Sequence, residues 1–253
     1  MNDTAVITQD AFLGGRLLLR QPKRGHRAGH DAILLAAAAP AQIGDRVADF
    51  GAGVGTAGLA VARRVPGINL VLVEIDPALA ALARDNALAN DLAADIVALD
   101  VTAPAADFAA AALGPDSVDT VLMNPPFNDG TRHRASPDTG RSLAHQATET
   151  TLEGWSHAAR RVLKPGGTLA LIWRADALAA VLSALDKGFG SIELLPVHPD
   201  AGAPAIRIVV RAIKGGRAPL VLHPALVLND DAGDSHPAVR AVLNGTGTLP
   251  FAR

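Results

Sequence analysis

The chain has no cysteine among its 253 residues, and only 3% of them are aromatic. Without cysteine, disulfides, thiolate zinc sites, iron–sulfur clusters and cysteine nucleophiles are excluded. The eight histidines are scattered and form no convincing metal-ligand pair, so we expect no metal. The formal net charge of -2 gives no global basic signature of the kind that many nucleic-acid-binding proteins show.

Long apolar runs and internal repeats are also missing. No uninterrupted stretch is long enough to span a membrane, and the N-terminus lacks a basic region followed by an apolar signal core, so we expect a cytoplasmic protein. The apolar content of 49% is sufficient for one α/β core, and no break in composition requires two domains. We expect a covering segment at 1–44, a core at 45–215 and a C-terminal extension at 216–253.

Short apolar runs alternate with amphipathic stretches through the middle of the chain. This alternation predicts an α/β fold with a doubly wound, mostly parallel sheet. Strands are expected at 46–49, 69–74, 95–99, 118–123 and 168–173, and helices at 56–64, 78–90, 150–163 and 176–187. A turn at 164–167 should lead into the strand at 168–173.

The last third of the chain has a different pattern. Two β-like runs at 192–197 and 205–213 have little helical material between them, which predicts an antiparallel end of the sheet. Beyond residue 216 we expect a hairpin-like extension at 220–228 and a helix at 237–243.

The segment 49–55 reads Asp-Phe-Gly-Ala-Gly-Val-Gly and joins a predicted strand to a predicted helix. In nucleotide-binding α/β units, a turn of this kind lies at the carboxyl end of the first strand, where cofactors bind. Because position 56 is threonine, the spacing fits the dinucleotide fingerprint poorly and fits the G-x-G-x-G loop of S-adenosylmethionine enzymes better. The candidate cofactor ligands here are Asp49, Gly51, Ala52, Gly53 and Gly55.

An acidic residue at the end of the next strand should accept hydrogen bonds from ribose hydroxyls, and Glu74 has this position. Asp76 is an alternative ligand, although Asp76-Pro77 is also typical of a helix start. The third strand ends at Asp100, whose carboxylate either accepts the adenine amine of a cofactor or is solvated. The neighbouring cofactor candidates are Ile75 and Val101.

The tetrad Asn124-Pro125-Pro126-Phe127 ends the apolar run at 118–123. The two prolines exclude helical geometry and predict a stiff turn at the end of a strand. An asparagine amide and a proline carbonyl can both accept hydrogen bonds from one NH2 group, and an aromatic ring can stack on the base that carries it. The tetrad is therefore the candidate catalytic segment, and Asn124 is also a candidate cofactor contact.

Basic residues are concentrated in two places. The segment 16–27 contains six basic side chains and no carboxylate, and a second group follows the tetrad at 132–141. Two basic patches near one cleft could hold the phosphates of RNA, although a solvated surface would have the same composition. The candidate substrate ligands, besides Phe127, are Arg132, Arg134 and His145.

The order of these motifs resembles that of the bacterial methyltransferases that modify N6 of the adenosine beside the anticodon of a valine tRNA. The resemblance covers most of the chain: it begins at Gly29-His30-Asp31, continues through the glycine-rich loop, Val73-Glu74, the tetrad and the loop to His145, and ends in the sheet after Pro204. Leu-Lys-Pro-Gly-Gly at 163–167 is a second motif that resembles methyltransferases. The resemblance implies S-adenosylmethionine as cofactor, RNA and preferably tRNA as partner, and stacking of the target base on Phe127. It also implies a helix over the cofactor with Asp31 near the methionine end of the cofactor, although His30 or Asp31 could instead be the N-cap of that helix.

Three other functions are compatible with parts of this pattern. Glutamine methyltransferases share the tetrad, but this chain lacks an evident helical substrate domain before the loop and has a basic segment after Phe127. A non-catalytic RNA-binding protein could retain the same fold. A dehydrogenase would require that the loop binds NAD, which would then raise the melting temperature.

Overall fold

The N-terminal part of the chain forms a β-hairpin followed by a helix. The computed structural model describes residues 6–23, 27–126, 137–230 and 232–251, with the backbone alone over 137–149. Strand β1 (Ile7–Phe12) pairs antiparallel with β2 (Leu17–Pro22), and helix α1 (His30–Ala38) follows. Burial alternates along β2, as expected of a strand that lies on a core with one face. The hairpin is not among the elements predicted from the sequence.

The rest of the described chain builds a nine-stranded sheet with helices on both faces. Its strands are β3 (Arg46–Phe50), β4 (Asn69–Glu74), β5 (Asp95–Ala98), β6 (Val118–Met123), β7 (Leu163–Arg174), β8 (Phe189–His198), β9 (Arg207–Lys214), β10 (Val221–Leu222) and β11 (Leu226–Val227). The remaining helices are α2 (Thr56–Arg64), α3 (Pro77–Ala89), α4 (Ala105–Ala110), α5 (Pro137–Val162), α6 (Leu178–Leu185) and α7 (Pro237–Leu243).

The strands lie in the order β10-β8-β9-β7-β6-β3-β4-β5, and β11 also pairs with β8. Strand β9 pairs antiparallel with β7 and β8, whereas the other strand pairs of this sheet are parallel. The predicted doubly wound, mostly parallel sheet with an antiparallel end is therefore confirmed.

Apolar side chains cover both faces of the sheet. One cluster joins the hairpin, α1, α2 and the C-terminal residues, and Leu17, Leu35 and Phe251 are buried in it. The other cluster lies under α4, α5 and α6 and contains Phe108 and Trp173. Because the central strands are covered on both sides, they read in the sequence as continuous apolar runs rather than alternating ones.

The start of α3 follows the local signal in the sequence. The Asp76 carboxylate accepts hydrogen bonds from the backbone N–H groups of Ala78 and Leu79, at 2.8 and 3.3 Å, and Pro77 is the first helical residue. The capping function of Asp76 is therefore confirmed.

Two local predictions were wrong. Residues 220–228 do not form a hairpin, because β10 and β11 both pair with the free edge of β8 instead of with each other. Residues 164–167 are not a separate turn before a strand, since β7 begins at Leu163 and the four residues form an irregularity in its pairing with β6. Gly166, with φ of +79°, permits this irregularity.

Among the described residues, no helix is both long enough and apolar enough to cross a membrane.

Candidate active site

The glycine-rich loop and the proline tetrad begin side by side. In the parallel pairing of β3 with β6, Phe50 lies opposite Met123, so the next residues, Gly51 and Asn124, leave the sheet at adjacent positions. The chain leaves β3 towards β4 on one side and leaves the adjacent β6 towards β7 on the other side. Ligands of open α/β sheets bind at such a switch point.

The loop after β3 follows a tight path that several backbone hydrogen bonds maintain. The Ala52 N–H donates to the Val73 carbonyl at 3.0 Å, and the Gly55 N–H donates to the Ala52 carbonyl at 2.8 Å. Gly53 has φ of +57°, and a Cβ added there would meet no atom within 4 Å. The open side of Gly53 therefore leaves the loop backbone accessible to a ligand.

Asp49, the last acidic residue before the loop, is buried beneath it. Its carboxylate accepts a hydrogen bond of 2.8 Å from the backbone N–H of Gly58 in α2. Burial raises the pKa of Asp49 to about 7, and the nearby Glu74 carboxylate adds to this rise, whereas the Gly58 hydrogen bond opposes it. The site thus contains a carboxyl group whose charge changes near neutral pH.

Glu74 at the end of β4 holds the loop from the other side. One carboxylate oxygen accepts the Gly53 N–H at 2.7 Å, and the other accepts the Asp76 N–H at 2.9 Å. Each carboxylate oxygen can accept more than one hydrogen bond, so both retain capacity for hydroxyl donors. This position is compatible with the ribose ligand predicted from the sequence.

Asn124 presents a buried acceptor at the end of β6. Its side-chain oxygen has no hydrogen-bond partner among the residues that the structure describes. Pro125 is buried and Pro126 is exposed, so the chain turns towards the surface directly after the asparagine. A buried amide oxygen without a partner is costly in a folded protein, and a donor on a substrate would remove that cost.

One cleft brings together much of the predicted site. Five of the predicted residues line it: Asp49, Gly51, Ala52, Gly53 and Asn124. The other lining residues are Ala28, Ala32, Val54, Thr56, Ala57 and Leu79. The Thr56 hydroxyl, like the Asn124 amide oxygen, is buried and has no partner in the described part of the chain.

Gly55, Ile75, Asp100 and Val101, which were also predicted as cofactor residues, do not line this cleft. Gly55, with φ of +88°, is the N-cap of α2. Ile75 is 63% exposed next to Glu74, and Val101 is buried in the core. The exposed Asp100 carboxylate accepts hydrogen bonds from the backbone N–H and hydroxyl of Thr102, at 2.7 and 2.8 Å.

Asp31 is not the N-cap of α1, because Gly29 occupies that position and no side chain caps the helix. Its carboxylate instead accepts a hydrogen bond of 2.8 Å from the guanidinium of Arg207 in β9. This ion pair fixes the first turn of α1 to the end of the sheet that carries the cleft, and Ala28 and Ala32 on either side of Asp31 line the cleft itself.

Several substrate candidates fall outside the described residues. Phe127, Arg132 and Arg134 are among them, and the side chain of His145 is as well. In the N-terminal basic segment, Arg27 forms an ion pair of 2.7 Å with Asp10 of β1. The segment 16–27 contains no carboxylate of its own, so Asp10 of the neighbouring strand β1 provides the partner for Arg27.

Arg16, in the same basic segment, donates a hydrogen bond to the backbone carbonyl of Asn244 at 2.6 Å. Asn244 is the C-cap of α7, so Arg16 satisfies a carbonyl at the C-terminal end of this helix. Arg20 and Lys23 of this segment are exposed, as Arg16 is. The basic segment therefore serves partly to hold the fold together.

Three further residues near the cleft were not predicted from the sequence. Trp155 of α5 packs so closely on the loop that a Cβ on Gly51 would overlap its ring. Asn86 of α3 donates a hydrogen bond to the loop carbonyl of Val54, and Arg207 holds Asp31. Each acts across a large sequence separation, so no local pattern indicates it.

Among the described residues, no group of three or more histidine, aspartate or glutamate side chains could hold a metal ion.

Comparisons with known proteins agree with this architecture. The methyltransferase small domain family matches residues 30–198. A tRNA1(Val) (adenine(37)-N6)-methyltransferase from Porphyromonas gingivalis is 34% identical over 67% of this chain and 67% of its own length, and one from Dickeya chrysanthemi is 26% identical over 90% of both. The crystal structure of a predicted O-methyltransferase from Agrobacterium tumefaciens has 30% identity and a TM-score of 0.73, over 87% of this chain and 98% of that one. The chain belongs to the methyltransferase small domain family.

Proposed function

We propose that the chain is an S-adenosylmethionine-dependent methyltransferase that modifies N6 of adenine in RNA, with the tRNA adenosine beside the anticodon as its substrate in the cytoplasm. The observation that carries the proposal is the register of β3 with β6. Because Phe50 lies opposite Met123, the glycine loop and Asn124 meet in one cleft. This arrangement supports a site in which the loop binds the methyl donor and the turn binds the acceptor.

The residues of the cleft fit S-adenosylmethionine. The backbone of the loop from Gly51 to Gly53 would face the cofactor, and the unused lone pairs of Glu74 would accept hydrogen bonds from its ribose hydroxyls. The exposed apolar side chain of Ile75 would pack on the adenine ring of the cofactor, and Asp49, when ionised, would supply negative charge that attracts the sulfonium. When bound, the cofactor would supply a methyl group on a sulfonium sulfur, which leaves as the neutral thioether while the methylated nitrogen loses one proton to solvent.

Asn124 and Pro125 position the acceptor nitrogen of the substrate. The side-chain oxygen of Asn124 and the backbone carbonyl of Pro125 each accept one hydrogen of the exocyclic amino group. With both hydrogens held, the nitrogen is favoured in its pyramidal form, and its lone pair is released from conjugation with the purine ring. These bonds strengthen as positive charge develops on nitrogen, so they contribute mainly to the transition state.

An amino group fits this site better than a hydroxyl. A hydroxyl has one hydrogen to donate, whereas an NH2 group has two and can satisfy both neighbouring acceptors. The relatives from Porphyromonas gingivalis and Dickeya chrysanthemi are named for methylation of N6 of adenine 37 in a tRNA. An adenosine in the anticodon loop is already outside a duplex, so little unstacking energy is needed to bring it to Phe127.

Transfer of labelled methyl groups tests this proposal. The protein is incubated with radiolabelled S-adenosylmethionine and either total RNA or total cellular protein, and the labelled fraction is digested and separated. We expect label in RNA as N6-methyladenosine. Label in methylglutamine of protein, or in ribose 2′-O-methyl groups, would overturn the assignment.

A further inference from the structure

Asn86 lies between the N-terminal hairpin and the glycine-rich loop. Its side chain is fully buried on α3. The amide oxygen accepts the N–H of Arg20 at 2.8 Å, and the amide nitrogen donates to the carbonyl of Arg20 at 3.0 Å. The same nitrogen donates to the carbonyl of Val54 in the loop, also at 3.0 Å. One carboxamide therefore joins β2 to the loop.

Asn90, one helical turn further along α3, holds the same strand in the same way. Its amide oxygen accepts the N–H of Leu18 at 3.0 Å, and its nitrogen donates to the carbonyl of Leu18 at 2.7 Å. Its remaining hydrogen bond, of 2.8 Å, goes to the backbone carbonyl of Asn86 in its own helix. Asn90 thus docks the hairpin without a contact to the loop.

The two asparagines take the place of a neighbouring strand. The outer edge of β2 would otherwise expose unpaired backbone groups, and the carboxamides at spacing i, i+4 satisfy them as a strand would. Asn86 differs from Asn90 in that its second N–H is used for the loop. The difference suggests a role beyond docking.

We propose that Asn86 is a positioning residue that couples the docking of the hairpin to the shape of the glycine-rich loop, and through the loop to cofactor affinity. The inference rests on the proposed function, since it takes the loop as the site of S-adenosylmethionine. The loop is otherwise restrained by the bonds of Ala52 to β4 and of Gly53 to Glu74. The Val54 carbonyl, which follows them, is held by Asn86.

Asn86→Ala and Asn90→Ala form a matched pair for testing the inference. Both remove two hydrogen bonds to β2, but only Asn86→Ala releases the loop carbonyl. We expect Asn86→Ala to weaken S-adenosylmethionine binding about tenfold by isothermal titration, and Asn90→Ala to leave it within about twofold. In steady-state kinetics, Asn86→Ala should raise KM for the cofactor more than it lowers kcat. Equal effects in the two variants, or none in either, would overturn the inference.

A measurement on the wild-type protein gives a test that needs no variant. Because coupling is reciprocal, bound cofactor should slow hydrogen exchange of the Arg20 amide, which is bonded to Asn86, by about fivefold or more. Exchange of the Leu18 amide, which is bonded to Asn90, should change much less. Equal protection of both amides, or no change in either, would contradict the coupling. Failure of the wild type to bind S-adenosylmethionine would instead overturn the proposed function, and the inference with it.

Discussion

Asn124 is the residue on which the proposed chemistry depends most. Its buried amide oxygen has no partner among the described residues, although buried polar groups in native proteins are nearly always paired. Evolved sites accept such a cost where a substrate completes the hydrogen bond. In the proposed reaction, the amino group of adenine is that partner.

Asn124→Ala should lower kcat for methyl transfer by about a hundredfold, because the lost hydrogen bond is made most strongly in the transition state. Binding of S-adenosylmethionine, measured by isothermal titration, should remain close to that of the wild type. Pro126→Ala, at an exposed position next to Pro125, is a comparison variant with a smaller expected loss. Turnover of Asn124→Ala at the wild-type rate would refute the role of the amide oxygen.

Because of Asp49, we expect the preference of the site for S-adenosylmethionine over S-adenosylhomocysteine to depend on pH. Since burial and the nearby Glu74 raise the pKa of Asp49 to about 7, the side chain is largely neutral below that pH and ionised above it. The ionised form attracts the sulfonium cation of S-adenosylmethionine, whereas the sulfur of S-adenosylhomocysteine is neutral. The preference for the first ligand over the second should therefore grow between about pH 6 and about pH 8.

Isothermal titration of both ligands at the two pH values measures this effect. Asp49→Asn retains an oxygen that can accept the Gly58 N–H but has no charge to change, so its preference should be the same at both pH values. A constant preference in the wild type would show that Asp49 does not titrate in this range or does not interact with the sulfonium.

At the scale of elements, the loop after β3 and helix α5 are fitted to each other at Gly51. Both Gly51 and Gly53 have positive φ, at +65° and +57°. A Cβ on Gly51 would overlap the ring of Trp155, whereas a Cβ on Gly53 would meet no atom within 4 Å. Both glycines are therefore favoured by backbone conformation, but only Gly51 is also required for packing within the protein.

Gly51→Ala should lower the free energy of unfolding by about 1–3 kcal/mol more than Gly53→Ala does. Both variants place alanine at a positive φ, which is strained, but only Gly51→Ala also makes a Cβ overlap the ring of Trp155. Urea denaturation measures the two losses. A double-mutant cycle of Gly51→Ala with Trp155→Phe should show a favourable coupling, and equal losses for the two glycines would contradict the account.

The sequence was informative where a strand ends at a polar residue of the cleft or of its loop. Asp49, Glu74 and Asn124 each stand at the end of an apolar run, and a local pattern is sufficient to predict that position. It was uninformative where two distant segments meet. Asn86 pairs with a strand 66 residues earlier, and nothing near either segment indicates this contact.

The same distinction explains the missed and mistaken strands. Residues 7–22 form a hairpin whose stability depends on α3 and the core, and its loop contains Leu13 at a positive φ that side chains rarely adopt. Strands β10 and β11 were mistaken for a hairpin because their partner, β8, lies earlier in the chain. Edge pairing is decided by which strand has a free edge, and this follows only from the assembled sheet.

At the scale of the whole molecule, the C-terminal segment is built into the core. Leu249 and Phe251 are buried in the same cluster as the hairpin and α1. The guanidinium of Arg211 in β9 donates to the backbone carbonyl of Phe251 and lies over its ring, 5.5 Å from the centroid. The ring of His223 meets Phe251 edge-on, with centroids 5.0 Å apart. The chain end is thereby fastened to the sheet.

Phe251→Ala should lower the free energy of unfolding by about 3 kcal/mol, because it removes a buried ring and the contacts that hold the chain end. Leu222→Ala is the control, since Leu222 is 64% exposed on β10 and its loss should be within about 0.5 kcal/mol. Chemical denaturation of both variants gives the comparison. A loss for Phe251→Ala as small as that of the control would mean that the segment is not part of the cooperative fold.

The proposed function requires that methyl groups are transferred to a single adenine nitrogen in RNA. The most direct measurement compares two valine tRNA transcripts, one with adenosine at position 37, the position named in the relatives, and one with guanosine there. With labelled S-adenosylmethionine, the first transcript should yield N6-methyladenosine, and the second should remain unlabelled. Equal labelling of both transcripts, or no labelling of either while another RNA or a protein is methylated, would contradict the proposed function.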